Sequence, residues 1–135
     1  MNEDELKSFG IEYEAAWRSL VPENPFSYQA IDCIVKVNDG EPMIPAEERL
    51  GGIIGFMESF PDLLITMRDI VEEDRGTVFY WNLKGTNTGP EGTGNRVDID
   101  GCEVWKLSSE NKIIEIKGYF DAEGYDRQLN GTQST

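Results

Sequence analysis

Apolar residues recur at steps of three and four through the opening segment. Leu6, Phe9, Tyr13, Ala16, Trp17 and Leu20 fall on one face of a helix, and Glu and Lys fill the other. Pro22 and Pro25 end that helix, and a short second one is expected from Phe26 to about Asp32. Cys33 to Val37 then reads as a β-branched strand, followed by a turn at Asn38-Asp39-Gly40. The prolines between Glu41 and Pro45 allow only a short edge strand or a loop. Pro45 and the acidic residues after it begin another helix, with Leu50, Ile53, Ile54, Met57 and Phe60 on one face and Pro61 as its stop.

From here the pattern alternates. Strands are expected over Leu63 to Glu72, Thr77 to Thr86, Arg96 to Leu107 and Lys112 to Phe120, joined by EEDRG, GTNTGPEGTG and SSENK. The glycines of GPEGTG invite comparison with a phosphate-binding loop, but no Gly-Lys-Ser/Thr follows and the segment leads into a strand, so it reads as a hairpin connection. A last short helix spans Ala122 to Leu129. Helices first and a run of antiparallel strands afterwards is the α+β pattern, most economically one curved antiparallel sheet wrapped around the helices. A single domain over residues 1–130 with a disordered polar tail, 131–135, is expected.

Composition narrows the chemistry. With 26 acidic against 12 basic residues and a net charge of -14, the chain repels phosphate backbones and anionic membrane surfaces, so neither nucleic acid nor membrane is an expected partner. There is no histidine, which excludes Ser-His-Asp and Cys-His catalysis and His-ligated zinc. Cys33 and Cys102 are too few and too far apart for a disulfide framework or a Cys-rich metal site, and they read as reduced core residues. No metal site is expected. The acidic N-terminus has no apolar signal core, so a cytoplasmic location is expected.

Three groups of residues are candidates for a site. Alternation on the second long strand puts Phe79, Trp81 and Leu83 toward the helices, so Trp81 with Tyr13, Trp17 and Met57 lines either a filled core or a pocket beneath them. On the last strand, alternation separates Ile114, Ile116, Gly118 and Phe120 from Glu115, Lys117, Tyr119 and Asp121. A carboxylate at the mouth of an apolar cavity has a raised pKa and can take and return a proton, with Tyr119 close enough along the strand to share a substrate. If the isoleucine face is the core, Asp121 instead faces solvent or a partner and caps the final helix. A bulge at Gly118, a pocket on the polar face, or a second subunit over the apolar face would each return it to a site. The third group is Asp98 and Asp100, which share a strand face and read either as paired carboxylates or as a solvated surface.

The stretches FPDLLITMRDIVEEDRGTVFYWNLKGTNTG, EGTGNRVDIDGCEVWKL and NKIIEIKGYFDAEGYDRQLNG together resemble the SnoaL-like polyketide cyclase family of the nuclear transport factor 2-like superfamily. The resemblance covers Phe60 to Gly131 well, and the first half by its pattern of helices. It implies a cone-shaped α+β fold, a bent sheet around helices with a cavity inside, a homodimer, an apolar small-molecule ligand and no metal or organic cofactor. It also implies acid–base cyclase or isomerase chemistry on a carbonyl-bearing substrate, with Asp121 in the position of the cyclase carboxylate. Two departures are Asn87, where many relatives have His in GTHTG, and Ile116, where a His often follows the Glu of the last strand. The same fold serves non-catalytic binding or dimerisation domains, in which Asp121 only caps a helix. It also serves epoxide hydrolases, which would need Arg68 with Asp98 or Asp100.

Overall fold

The computed structural model of the chain describes Met1–Gly131. Helix α1, Glu3–Arg18, starts where the Asn2 side chain accepts from the Glu5 amide and the Glu5 carboxylate accepts from the Asn2 amide, a reciprocal cap. Helix α2 is a single turn, Glu23–Phe26, and β1 runs Gln29–Val37. The second helix therefore lies earlier than the sequence suggests, and strand structure claims Gln29 to Asp32. The reason is pairing: β1 lies parallel to β5, with an irregularity in register between Gln29 and Ile34. Helix α3 covers Ala46–Ser59, then β2 Leu64–Glu73, β3 Gly76–Thr86, β4 Arg96–Leu107, β5 Ile113–Phe120 and α4 Ala122–Asn130. Gly131 caps α4 in the left-handed conformation, φ 72°. The rest of the expected tail lies outside the described residues.

The five strands form one sheet in the order β1-β5-β4-β3-β2, antiparallel except for β1 against β5. Its inner face meets α1 and α3 in a core that includes Tyr13, Ile53, Met57, Phe60, Phe79 and Trp105. A second, smaller apolar cluster, Val78, Cys102 and Val104 with Val71, Tyr80 and Tyr119, lies on the opposite face. Both cysteines are buried and free.

Two polar devices hold helices to sheet edges. Glu14 accepts from the Met67 amide, and Arg18 donates to the Ile65 carbonyl, so α1 occupies backbone groups of the edge strand β2. Gly10 allows the approach, because a Cβ there would lie 3.2 Å from two carbons of Ile70 and nearer still to the Met67 sulfur. At the other edge Arg49 of α3, only 2% exposed, donates to the carbonyls of Ile44, Ala30 and Ile31 and to Gln29 Oε1. Its guanidinium also stands 5.6 Å from the centre of the Phe26 ring. No described helix is long and apolar enough to cross a membrane.

Candidate functional site

Between α1, α3 and the inner face of the sheet is a cavity of about 170 Å³. Half of its twelve lining residues are aromatic: Tyr13, Trp17, Phe56, Phe79, Trp81 and Phe120. The lining runs from Val37, 41% exposed, to the buried Phe79, 1% exposed. Among the described residues, the wall carries one carboxylate, Glu103, and no Lys or Arg.

Strand parity puts Glu103 there. Along β4, Val97, Ile99, Gly101, Glu103, Trp105 and Leu107 alternate inward, and Glu103 is the single ionisable residue in that series. Tyr13 Oη donates to Glu103 Oε1 at 2.8 Å and Trp105 Nε1 donates to the same oxygen at 2.9 Å. Among the described residues no hydrogen bond reaches Oε2. Glu103 is half-buried and is one of the residues that line the cavity. Desolvation raises its pKa above the ordinary carboxylate value, and the bonds from Trp105 and Tyr13 offset only part of that rise. Burial, and then the charge of Glu103, push the Tyr13 hydroxyl well above its usual value, so Tyr13 stays a neutral donor. Edge-on packing against Tyr28, Phe79 and Trp105, with ring centres 5.6, 5.1 and 4.8 Å away, fixes the Tyr13 ring.

Trp81 owes its place on the wall to a missing side chain. It pairs across the ladder with Gly101, and a Cβ at 101 would lie 2.6 Å from the indole Cη2 and 2.6 Å from the Tyr119 carbonyl oxygen. Gly101→Ala is therefore expected to force the indole out of position. The predicted result is a loss of about 1–3 kcal/mol of stability, together with weakened filling of the cavity by hydrophobic probes. Thermal unfolding and tryptophan fluorescence quenching measure the two effects, and unchanged values for both would refute the close-approach argument.

The structure brings Tyr13, Trp17 and Trp81 together on the cavity wall. It does not bring Met57, Tyr119 or Asp121 there. Met57 is packed in the core beneath α3, and the Tyr119 hydroxyl donates to Asp39 Oδ1 at 3.2 Å. Asp121 has a side chain 72% exposed, accepts from the Gly124 amide at 3.1 Å as the cap of α4, and lies 3.9 Å from Arg127. The physical reason is register. Pairing of β4 with β5 runs unbroken from Lys106↔Glu115 to Gly101↔Phe120, with no bulge at Gly118, so Ile116, Gly118 and Phe120 face inward and Tyr119 faces out. The irregularity lies earlier, between Lys106 and Leu107, which leaves Ile113 fully buried and Ile114 37% exposed. Asp98 and Asp100 stand exposed on the outer face, both bonded by Asn82 Nδ2, and Arg68 meets Asp100 only as an exposed pair at 3.9 Å. An Asp-Arg-Asp arrangement is thus present only in solvent. Among the described residues no cluster of three or more His, Cys, Asp or Glu is placed to hold a metal.

The sequence matches the family model described as SnoaL-like polyketide cyclase over residues 12–129. The chain belongs to this family. Among curated proteins none matches it. Three solved structures illustrate its likeness to others. AclR from Streptomyces galilaeus, given as a hydroxylase on a provisional basis, superposes with a TM-score of 0.79 at 19% identity, covering 98% of this chain and 85% of that one. A nuclear transport factor 2-like protein of unknown function from Exiguobacterium sp. 255-15 gives 0.70 at 14% identity, covering 83% and 97%. SalBIII, an epoxide hydrolase/cyclase-like enzyme of pyran ring formation in the polyether salinomycin, gives 0.76 at 12%, covering 91% and 95%. At these identities the likeness shows a shared fold, that of the SnoaL-like and nuclear transport factor 2-like proteins.

Proposed function

We propose that this SnoaL-like protein catalyses proton transfer on an uncharged, apolar, carbonyl-bearing small molecule, with Glu103 as the acid–base group. The observation that carries this is the unpartnered Oε2 of a carboxyl raised in pKa by burial, on the wall of an aromatic cavity. Both donors hold Oε1, so Oε2 is the oxygen free to accept a proton from the carbon next to a carbonyl. In an isomerisation the same oxygen then returns that proton to another carbon of the enolate. In a ring closure the enolate carbon attacks a second carbonyl of the same molecule and the proton goes to the alkoxide so formed, with no net gain or loss in either case. Trp17, Trp81 and Phe120 supply the apolar contacts that exclude water from the reacting atoms. No cofactor enters the scheme.

Solvent exchange tests it directly. In deuterium oxide the protein is expected to catalyse deuterium incorporation next to the carbonyl of small cyclic ketones, followed by NMR, in a way that apolar inhibitors of the cavity suppress. Exchange no faster than in buffer, across ketones small enough to enter, would remove the reading. Asp121 takes no part in this scheme: Asp121→Ala is expected to cost about 1 kcal/mol of stability through loss of the α4 cap and to leave exchange rates within twofold. A large loss of exchange with an intact fold would return the acid–base role to Asp121.

A homodimer belongs to the same reading. Its contact would use the outer sheet face at Val71, Tyr80 and Tyr119, which lie over the buried Val78 and Val104, and light scattering measures the mass.

A further inference from the structure

The cavity's charge and its aromatic wall point to a ligand class beyond neutral carbonyl compounds. Its only charged side chain among the described residues is an acid, no Lys or Arg faces it, and the chain as a whole carries a net charge of -14. An anionic ligand would meet uncompensated repulsion, because nothing in the wall can neutralise it. A cation meets the opposite conditions. Aromatic rings attract cations, and Trp17, Trp81, Tyr13 and Phe79 line the cavity together with Glu103. Oε2 has an open acceptor position there, while Oε1 is already held by Tyr13 and Trp105.

We infer that the cavity binds alkylated organic ammonium ions, whose single N–H donates to Glu103 Oε2 while the alkyl groups pack against the aromatic wall. This rests on the cavity being the ligand site and adds the class of ligand it selects. A tertiary ammonium suits it better than a primary one, because it brings one donor for one acceptor and little hydration to lose. An amine so held occupies the oxygen assigned to proton transfer, so it inhibits the exchange reaction competitively.

Three probes of similar size separate the possibilities by calorimetry: triethylamine as its ammonium ion, neutral 2-ethylbutanamide, and the anion 2-ethylbutanoate. The ammonium ion is expected to bind the parent protein about tenfold or more tightly than the amide, and the anion not at all. In Glu103→Gln the amide should bind as before while the ammonium ion loses its advantage. Trp81→Leu should weaken the ammonium ion more than the amide. Equal affinities for ammonium and amide in the parent protein, or an ammonium affinity unchanged by Glu103→Gln, would overturn the assignment and leave the acid–base reading standing. Binding of none of the three would remove the cavity as a ligand site, and both readings with it.

Discussion

Glu103→Gln is expected to lower turnover by about 10²–10⁴-fold, the usual contribution of a positioned general acid or base. The substitution is nearly isosteric. The glutamine carbonyl still accepts from Tyr13 Oη and Trp105 Nε1, which approach one oxygen of the native carboxyl at 2.8 and 2.9 Å. What is lost is the basic oxygen on the cavity side that takes and returns the proton. A fall in kcat with KM for neutral substrates held within about twofold is the expected signature of a group used in the transition state. A change in KM alone would mean that Glu103 only shapes the cavity.

The same variant makes a prediction about stability, with the opposite sign. Glu103 has a folded-state pKa above its unfolded value, because burial disfavours the carboxylate. Its favourable contribution is therefore complete below the unfolded carboxylate range and is lost as pH rises through the raised folded value. Above that value the parent protein holds a desolvated charge and Glu103→Gln does not. The variant is expected to melt at or above the parent temperature at pH 8 and to lose that advantage as pH falls toward 4. The difference between the two melting curves isolates Glu103 from exposed carboxylates such as Asp62 and Glu73, whose pKa values are lowered by bonds to Thr86 and Tyr80 and cancel in the subtraction. A parent protein that gains on the variant as pH rises would show that the carboxylate is stabilised in place, and would end the argument from burial. Lower activity with higher stability is the pattern expected where function keeps an unfavourable group in position.

The strands that carry this site were legible from alternation. The expected bounds of β4 are those observed, and Phe79, Trp81 and Leu83 face inward as the alternation predicts. Glu103 carries a signal too, as the one charged residue in the series Val97, Ile99, Gly101, Glu103, Trp105, on the strand face opposite to the paired carboxylates Asp98 and Asp100. What sequence could not supply is convergence. Tyr13 lies 90 positions from Glu103 and meets it only because α1 packs across β4. Asp121, directly after β5, has two readings from sequence, site carboxylate or helix cap, and its bond to the Gly124 amide accounts for its position as the cap. The start of β1 is not legible in the sequence because parallel pairing with β5 leaves no hairpin signal.

Arg49→Leu is expected to destabilise the protein by about 3 kcal/mol and to lower its melting temperature by roughly 10 °C. Arg49 recurs with Ile53 and Met57 at steps of four on the buried face of α3, where a cation is costly unless its donors are satisfied. Here they are satisfied without a carboxylate. The guanidinium fills the gap left where β1 departs from the β5 ladder between Gln29 and Ile34, taking the Ala30 and Ile31 carbonyls that strand pairing does not use. It also takes the Ile44 carbonyl at 2.9 Å and so ties the chain entering α3 to the same strand. Leucine would match the apolar surroundings but leave three carbonyls to find water at a partly closed edge. Arg49→Lys keeps the charge with one donor group in place of the planar fork, so it should fall between the parent and leucine. Equal melting temperatures for all three proteins would mean that the β1 irregularity is solvated rather than bridged. Because α3 also supplies Phe56 to the cavity wall, the leucine variant should weaken hydrophobic probe binding even at temperatures where it remains folded.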